Sequence, residues 1–252
     1  MTFEVAAEVY DRFMGRYSQQ LAPQLADLAG VHEGERVLDV GCGPGALTAE
    51  LVRRVGEDAV SAVDPSESFV AAARARFPGV DVQRATAERL PFVDAAFDAV
   101  LAQLVVHFMT DPVAGLREMK RVTSSGGTVA ACVWDHAGER APLTPFWRAA
   151  RELDAAAQDE SGLAGAREGH LGELFADAGY TSVQETSLEA SGRFESFAEW
   201  WEPFNLGVGP AGAYAQTRDE ESLELLRARC EELLPPAPFT LRTWAWAARG
   251  VA

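Results

Sequence analysis

Short apolar segments alternate with amphipathic ones through the first half of the chain. The amphipathic segments have apolar residues at helical spacing, and we predict helices over Ala46–Val55, over 67–77 and from Pro112 onward, with Asp111 as N-cap. The apolar segments are short and bounded by turn residues, which is typical of buried parallel strands. They lie at 36–40, 59–63, 80–84, 97–102 and 128–134. This alternation predicts an α/β, doubly wound parallel sheet that binds ligands at the carboxyl ends of its strands.

Both ends of the chain carry patterns outside this alternation. Helical spacing covers the first 30 residues, with a break at Gly15. The second half predicts a helix at 168–179, a strand at 182–188, an aromatic-rich helix at 195–204, a loop at 207–212, a helix at 220–234 and a last strand at 239–247. We therefore predict one domain over 1–252. It comprises a helical cap at 1–30, a core at 31–190, a helical lid insertion at 191–236 and the last strand at 237–252.

The charge of the chain disfavours several classes of partner. Its 38 acidic and 22 basic residues give a net charge of −16 without a basic run, so we expect neither nucleic acid nor an anionic membrane surface as a partner. Cys42, Cys132 and Cys230 are far apart and lack metal-binding spacing, so we expect reduced thiols and no metal site. A signal-peptide pattern and an apolar run of membrane-spanning length are both missing. We expect a cytoplasmic monomer or homodimer.

The strongest chemical signal is the glycine-rich turn at 41–45, which follows the first strand and precedes a helix. Glycines here let the backbone approach a ligand closely, with helix N–H groups directed at it. About twenty residues on, Asp64 ends the second strand, where a carboxylate can accept hydrogen bonds from ribose hydroxyls. Gly41, Gly43 and Ala46 also satisfy a dinucleotide-binding pattern. The turn by itself therefore fits a nicotinamide dinucleotide as well as S-adenosylmethionine.

Three further features favour the methyl donor. Asp39 lies inside the first strand, where its carboxylate can reach the cationic ammonium group of a methionine moiety. The segment 85–92 follows the third strand, so its backbone and Glu88 can address an adenine ring. The fourth strand ends at Gln103 with small and polar groups, which leave room for a nucleoside.

These segments together resemble the class I S-adenosylmethionine-dependent methyltransferases, especially the group of ubiquinone/menaquinone-biosynthesis methyltransferases. The motifs that carry the resemblance are VLDVGCGPG (37–45), AVDPS (62–66), AERLPF (87–92), FDAVLAQLVVHF (97–108) and RVTSSGGTVA (121–130). The resemblance implies S-adenosylmethionine as cofactor and S-adenosylhomocysteine as product. It also implies a Rossmann-like, seven-stranded, mostly parallel sheet with an antiparallel last strand, an N-terminal helical cap and a C-terminal helical lid insertion.

The resemblance also implies roles for individual residues. Asp39, Gly41 and Gly43 would hold the methionine end of the donor, and Gln103 would line the same side. Asp64 would bind the ribose, with Pro65 and Ser66 beside it. Ala87 and Glu88 would face the adenine together with Thr86. Many relatives carry Asp at the position of Thr86. Tyr10 and Arg16 belong to a segment that resembles a cap over the donor, and Arg16 would pair with the donor's carboxylate as a fork.

Methyl transfer is a direct displacement on an activated donor, so alignment and exclusion of water can supply much of the catalysis. A base is needed only if the acceptor must lose a proton. His107, just past the fourth strand, and His136, just past the fifth and next to Asp135, are the candidate bases. The alternative interpretation of each is a histidine that packs within the fold.

The acceptor is the least constrained part of the prediction. An aromatic cluster favours a planar or apolar small molecule if it lines a pocket, although aromatic residues at helical spacing more often form core. Its members are Phe146, Trp147, Phe197, Trp200, Trp201 and Phe204. The Asn/Asp-Pro-Pro-aromatic motif of enzymes that methylate exocyclic amines is replaced here by Ala102-Gln103-Leu104-Val105. Attack through O, N or C stays open.

Two other function classes compete with this hypothesis. A nicotinamide-dependent oxidoreductase could use the same glycine turn, although the segments at 87–92 and 97–108 argue against it. A protein that retains the fold and binds S-adenosylmethionine without methylating anything would carry the same binding residues.

Overall fold

The computed structural model describes residues 11–207 and 209–252, and its strands form one seven-stranded sheet. The strands are β1 (Val37–Val40), β2 (Val60–Asp64), β3 (Asp81–Arg84), β4 (Phe97–Gln103), β5 (Thr123–Trp134), β6 (Thr181–Phe194) and β7 (Phe239–Val251). They lie in the order β3-β2-β1-β4-β5-β7-β6. The first five are mutually parallel, and β7 runs antiparallel to both β5 and β6. The predicted Rossmann-like fold with an antiparallel last strand is confirmed.

Helices cover both faces of this sheet. They are α1 (Arg16–Ala29), α2 (Ala46–Val55), α3 (Glu67–Arg76), α4 (Pro112–Val122), α5 (Thr144–Leu153), α6 (His170–Asp177), α7 (Phe197–Asn205), α8 (Gly209–Gln216) and α9 (Glu220–Leu233). The Asp111 side chain accepts a hydrogen bond from the Ala114 N–H, as expected of the N-cap of α4. None of the described helices is long and apolar enough to cross a lipid bilayer.

Side-chain alternation along β1 decides which helices meet the functional residues. Val37 and Asp39 point to the face covered by α1, α2 and α3, whereas Leu38 and Val40 point to the face covered by α4 and α6. Asp39 is therefore buried under the N-terminal helices, with 1% of its surface exposed. A carboxylate is held inside the domain at the carboxyl end of its central strand.

Helix α1 is tied to β6, the strand at one edge of the sheet. The Gln20 side chain donates to the Ser191 carbonyl at 2.7 Å and accepts from the Ser191 N–H at 3.1 Å. One helical turn later, Gln24 makes the same pair of hydrogen bonds with Glu189, at 2.8 and 3.2 Å. Two glutamine amides thus satisfy backbone groups that an edge strand otherwise leaves unpaired.

Several boundaries differ from the prediction. Gly15 does not break the helical pattern, because its φ of −57° and ψ of −37° let a π-helical turn over Asp11–Gly15 lead into α1. Strand β6 continues to Phe194, so the inserted helices lie between 195 and 238 rather than between 191 and 236. We call this segment the lid. The prediction of a loop at 207–212 is wrong in part, because α8 begins at Gly209. Pro210 does not prevent this helix, since proline is tolerated in a first helical turn.

The aromatic cluster joins the lid to α5, a helix that the sequence patterns did not predict. The Phe146 ring stacks on Phe204 of α7, with centroids 4.6 Å apart and planes inclined by 22°. Trp201 lies 6.1 Å from Phe146, and Tyr214 of α8 meets the same ring edge-on. The cluster is therefore core that anchors the lid, and the hypothesis that it lines an acceptor pocket is not supported.

We expect Phe146→Ala to lower the free energy of unfolding by about 3–5 kcal/mol, because the ring is fully buried and stacked. Urea denaturation followed by tryptophan fluorescence measures the change. The matched control is Leu225→Ala on α9, where the side chain is 55% exposed and the expected change is below about 0.5 kcal/mol. Small effects of both substitutions would contradict the assignment of Phe146 to the core.

Candidate functional site

A cleft of about 890 Å³ opens where the parallel strands end. Gly41 and Gly43 follow β1, Asp64 ends β2 and Gln103 ends β4, so three neighbouring strands contribute to one wall. The order of the strands reverses direction between β1 and β4, which is where ligands bind in open α/β sheets. Other lining residues are Pro65, Ser66, Phe69, Arg84, Leu104, Val105, His107, Phe108, Met109 and Leu163.

The glycine turn shapes this cleft but keeps its N–H groups for the protein. Gly41 has a φ of +73°, and a Cβ there would lie 2.4 Å from Val105, so only glycine fits. Gly43 has a φ of +53°, and a Cβ added there would meet no atom within 4 Å, so it presents open surface to the cleft. The N–H groups of Gly41 and Cys42 donate to the Val63 carbonyl. The turn therefore lets a ligand approach the backbone closely but offers it few free hydrogen-bond donors.

Asp64 closes the same turn from the next strand. Its two carboxylate oxygens accept from the Gly43 N–H at 2.9 Å and from the Ser66 N–H at 2.8 Å. Burial raises the pKa of this carboxyl, while the two backbone hydrogen bonds act in the opposite direction. Carboxylate oxygens have further lone pairs, so Asp64 can still accept hydrogen bonds from hydroxyl groups in the cleft.

Asp39 lies one strand over, against a smaller space of about 30 Å³ that it shares with Gln103 and the turn. Its Oδ2 accepts a hydrogen bond from the Thr48 hydroxyl at 2.6 Å, whereas its buried Oδ1 has no partner among the described residues. Burial is the main reason why the pKa of Asp39 rises to about 7, and the charge of Asp64 adds to it. A buried carboxylate with an unused oxygen favours a cationic ligand.

Gln103 faces the same small space from the end of β4. Its Nε2 donates to the Ser18 carbonyl of α1 at 3.1 Å, which fixes the amide, and its buried Oε1 has no partner in the described part of the chain. Two residues that line the same small space thus each carry a buried oxygen without a described partner, as expected of a site that completes its hydrogen bonds with a ligand.

The segment predicted to face an adenine lies beside the cleft. Thr86 is exposed, Ala87 is buried, and neither of them lines the cleft. The Glu88 carboxylate accepts from the N–H groups of Thr110 and Asp111, at 2.7 and 3.3 Å, and so braces the loop before α4. The adenine contact of Thr86, Ala87 and Glu88 stays a prediction.

The predicted cap residues have a different outcome. The Arg16 guanidinium donates to Glu199 of α7 at 2.9 Å and to the Arg193 carbonyl at 2.7 Å, and it stacks on the Phe194 ring. This arginine therefore links α1 to the lid, and its expected pairing with a donor carboxylate stays a prediction. Tyr10 lies outside the described residues.

The two candidate bases lie one behind the other. His107 lines the cleft, and the His136 ring lies 6.1 Å behind it, centroid to centroid. Burial lowers the pKa of His136 to about 4 and holds that of His107 well below its usual range, so both rings are neutral at pH 7. The predicted partner Asp135 instead binds the Arg140 guanidinium and the Gly138 N–H.

The apolar wall of the cleft comes from residues that the sequence patterns did not single out. Phe69 on α3, Phe108 and Met109 after β4, and Leu163 line it. Leu163 belongs to the irregular segment between α5 and α6, which no periodicity marks. Among the described residues, no group of three or more His, Cys, Asp or Glu side chains is arranged to hold a metal ion.

Residues 38–131 match the family described as a methyltransferase domain. The chain is 30% identical over 182 residues to a demethylmenaquinone methyltransferase of Paenarthrobacter aurescens, covering 65% of this chain and 69% of that protein. It is 43% identical over 120 residues to a demethylmenaquinone methyltransferase of Beutenbergia cavernae, covering 48% of each. It is 35% identical over 127 residues to a malonyl-[acyl-carrier protein] O-methyltransferase of Erwinia billingiae, covering 50% of this chain and 49% of that protein. The chain spans about half the length of these last two relatives.

Solved structures share the fold at low sequence identity. A SAM-dependent methyltransferase from Aquifex aeolicus has a TM-score of 0.55 and 22% identity, over 73% of this chain and 92% of that one. The [4+2]-cyclase SpnF has a TM-score of 0.56 and 20% identity, over 92% of this chain and 81% of that one. One architecture is therefore shared by proteins described as catalysing different reactions.

The pKa of Asp39 predicts how stability depends on pH. An unfolded Asp loses its proton near pH 3.8, whereas the folded protein holds it to about pH 7, so stability falls as pH rises through this window. Asp39→Asn removes that loss and is expected to be more stable than the wild type by roughly 2–4 kcal/mol at pH 8, with the gap closing near pH 4. Urea unfolding at both pH values measures it.

The matched control is Glu67→Gln, a variant of a side chain that is 67% exposed on the neighbouring cleft, and it is expected to follow the wild-type profile. A constant difference between Asp39→Asn and the wild type at the two pH values would contradict the prediction.

Proposed function

We propose that this chain, which belongs to the class I S-adenosylmethionine-dependent methyltransferases, transfers a methyl group from S-adenosylmethionine to a small, planar or apolar organic acceptor. The observation that carries the proposal is the pair of buried carboxylates, Asp39 and Asp64, on either side of the glycine turn. The donor supplies a methyl group that its sulfonium charge already activates.

The electrostatics of the turn favour a cation over a pyrophosphate. Burial and the nearby charges of Asp39 and Asp64 raise the pKa of the Cys42 thiol. A dinucleotide would bring two negative phosphates to this position, where the Gly43 N–H already binds Asp64. A donor with an ammonium and a sulfonium group gains from the same field. The nicotinamide alternative is therefore disfavoured by charge as well as by family.

The unsatisfied atoms of the site fit this donor. Oδ1 of Asp39 and Oε1 of Gln103, which have no hydrogen-bond partner among the described residues, would receive the ammonium group in the small space beside the turn. Gly43 would let the donor pass close to the backbone, and Asp64 would accept from the ribose hydroxyls, with Pro65 and Ser66 beside it. Each proposed role is supported by a position on the wall of the cleft or of the small space beside it.

An apolar acceptor is supported by the far wall of the cleft. Phe108, Met109 and Leu163 present apolar surface there, next to the only histidine on the described lining. Two of the relatives are named for the methylation of demethylmenaquinone, which carries a planar ring system. His107, neutral and open to the cleft, would accept the proton of an acceptor that must lose one.

We expect S-adenosylhomocysteine to bind the wild type with micromolar affinity in isothermal titration calorimetry, and Asp64→Ala to weaken binding at least about tenfold, since a buried charge-assisted hydrogen bond is lost. The matched control is Asp81→Ala, an exposed carboxylate on the neighbouring strand β3, which should bind as the wild type does. Wild-type protein that binds no S-adenosylhomocysteine would refute the proposal.

We expect radiolabelled methyl transfer from S-adenosylmethionine to 1,4-dihydroxynaphthalene, a planar probe with acidic hydroxyls. His107→Gln should lower kcat by about 100-fold or more with little change in the KM for the donor, because a positioned base acts on the acceptor's proton. The control His32→Gln alters a side chain that is 74% exposed. Donor binding without transfer to phenol, amine or thiol probes would instead favour a non-methylating protein.

A further inference from the structure

A buried path of polar groups continues from His107 into the protein, away from the cleft. His107 and His136 are only 6% and 8% exposed, and their rings lie 6.1 Å apart. Nδ1 of His107 and Nε2 of His136 are buried without a partner among the described residues. Buried imidazole nitrogens without hydrogen bonds are uncommon, and two in succession call for a functional explanation.

Behind His136 lies a small cavity that also contains a buried acid. The cavity has a volume of about 10 Å³, close to the least that can hold one water molecule, and both His136 and Glu160 line it. Glu160 is 4% exposed, and its Oε2 accepts a hydrogen bond from the Trp147 indole at 2.8 Å. A neutral indole does not balance the charge of a buried carboxylate, so Glu160 lowers the stability of the fold. A role in stability therefore does not explain why this residue is buried.

The far side of the cavity reaches charged groups at the surface. Arg151 forms an ion pair with Asp159 and another with Glu139 at 2.6 Å, and Arg148 also pairs with Glu139. Glu139 is 42% exposed, so the path of polar groups that starts at His107 reaches solvent there. The charged and titratable groups that face His136 from the surrounding segments are His107, Asp135, Glu139, Arg140, Arg151, Asp159 and Glu160.

The reaction itself leaves a proton to be removed. The acceptor's attacking atom forms a bond to the methyl carbon, the carbon–sulfur bond breaks, and its electron pair remains on sulfur. The positive charge of the sulfonium then leaves as the proton that the attacking atom carried. In a cleft walled by apolar side chains this proton needs an acceptor and then a route to water.

We propose that His136 and Glu160 form a proton relay that takes the acceptor's proton from His107 and passes it towards the surface at Glu139. This inference rests on the proposed function and deepens it, since it requires an acceptor whose attacking atom carries hydrogen. An acceptor that attacks through a lone pair without losing a proton, such as a thioether, has no need of the relay. Glu160 acts through His136 and does not touch the acceptor.

The proton affinities of the two inner groups, His136 and Glu160, run in the direction that the relay requires. Burial holds the pKa of His136 near 4, so this ring passes a proton on and does not keep it. Burial raises the pKa of Glu160 to about 7, although the Trp147 hydrogen bond acts against the shift. The proton is therefore more stable on Glu160 than on His136, and at neutral pH Glu160 can both take it and release it.

The first test needs no acceptor. With Cε1 of each histidine ring labelled with carbon-13, the four histidines give four signals. Between pH 5.5 and 8.5 the His136 signal should show an inflection near pH 7 that reports the ionisation of Glu160. Glu160→Gln should remove this inflection. Asp159→Asn, which changes another acid of the same cavity, should retain it. A wild-type His136 signal without the inflection, or an inflection that persists in Glu160→Gln, would overturn the relay.

If Glu160→Gln does not fold, the wild type still decides the question. Carbon-13 labelling of glutamate carboxyls should show one buried carboxyl that titrates near pH 7 together with the His136 signal. The absence of a glutamate that titrates there would overturn the proposal.

The second test follows turnover of 1,4-dihydroxynaphthalene. Wild-type kcat should rise with pH through about 7, because only the ionised Glu160 can accept a proton. In Glu160→Gln the rise of kcat with pH should be missing, and kcat at pH 8 should fall by about 10–100-fold. The calorimetric affinity for S-adenosylhomocysteine should stay within about twofold of the wild-type value. An unchanged pH profile in a variant that still methylates would overturn the relay and leave the proposed function intact. Failure of the wild type to bind S-adenosylhomocysteine would overturn the proposed function, whatever the histidine signals show.

Discussion

The central position of β1, paired with β2 on one side and β4 on the other, is the constraint on which the site depends. Right-handed crossovers place the helices that leave β1 and β4 on opposite faces of the sheet, so a crevice remains between them at the carboxyl edge. The glycine turn, Asp64 and Gln103 meet there because each follows the end of a neighbouring strand. The order of the strands therefore determines which side chains line the cleft.

Burial then sets the charge states of the groups gathered at this edge. The same desolvation that raises the pKa of Asp39 and Glu160 to about 7 lowers that of His136 to about 4. In water the pKa of an imidazole lies above that of a carboxyl, whereas in this interior the pKa values of the two carboxyls lie above that of His136. Under the proposed function, this ordering would let the site attract a cation at one end and pass a proton on at the other.

The fold leaves the reaction of the acceptor open, as the shared architecture of a methyltransferase and a [4+2]-cyclase indicates. Residues outside the strand–helix repeats contribute to the walls of the cleft and of the cavity behind His136. The lid is anchored through Phe146 and Phe204 and through the Arg16–Glu199 ion pair, and the segment between α5 and α6 contributes Leu163 and Glu160. The walls of the cleft and of the cavity behind His136 therefore depend partly on segments outside the common core and on how these pack against it.

Local patterns in the sequence determined the strands, most helices, the N-cap Asp111 and the glycine turn, because short-range periodicity and turn chemistry need only neighbouring residues. They also placed Asp39, Asp64, Gln103 and His107 at one edge, since the carboxyl ends of parallel strands meet there. Only the tertiary structure paired Arg16 with Glu199, which lies 183 residues away, and turned Glu88 towards its neighbouring loop. It alone brought Glu160 behind His136, because an irregular segment has no periodicity from which its path could be read.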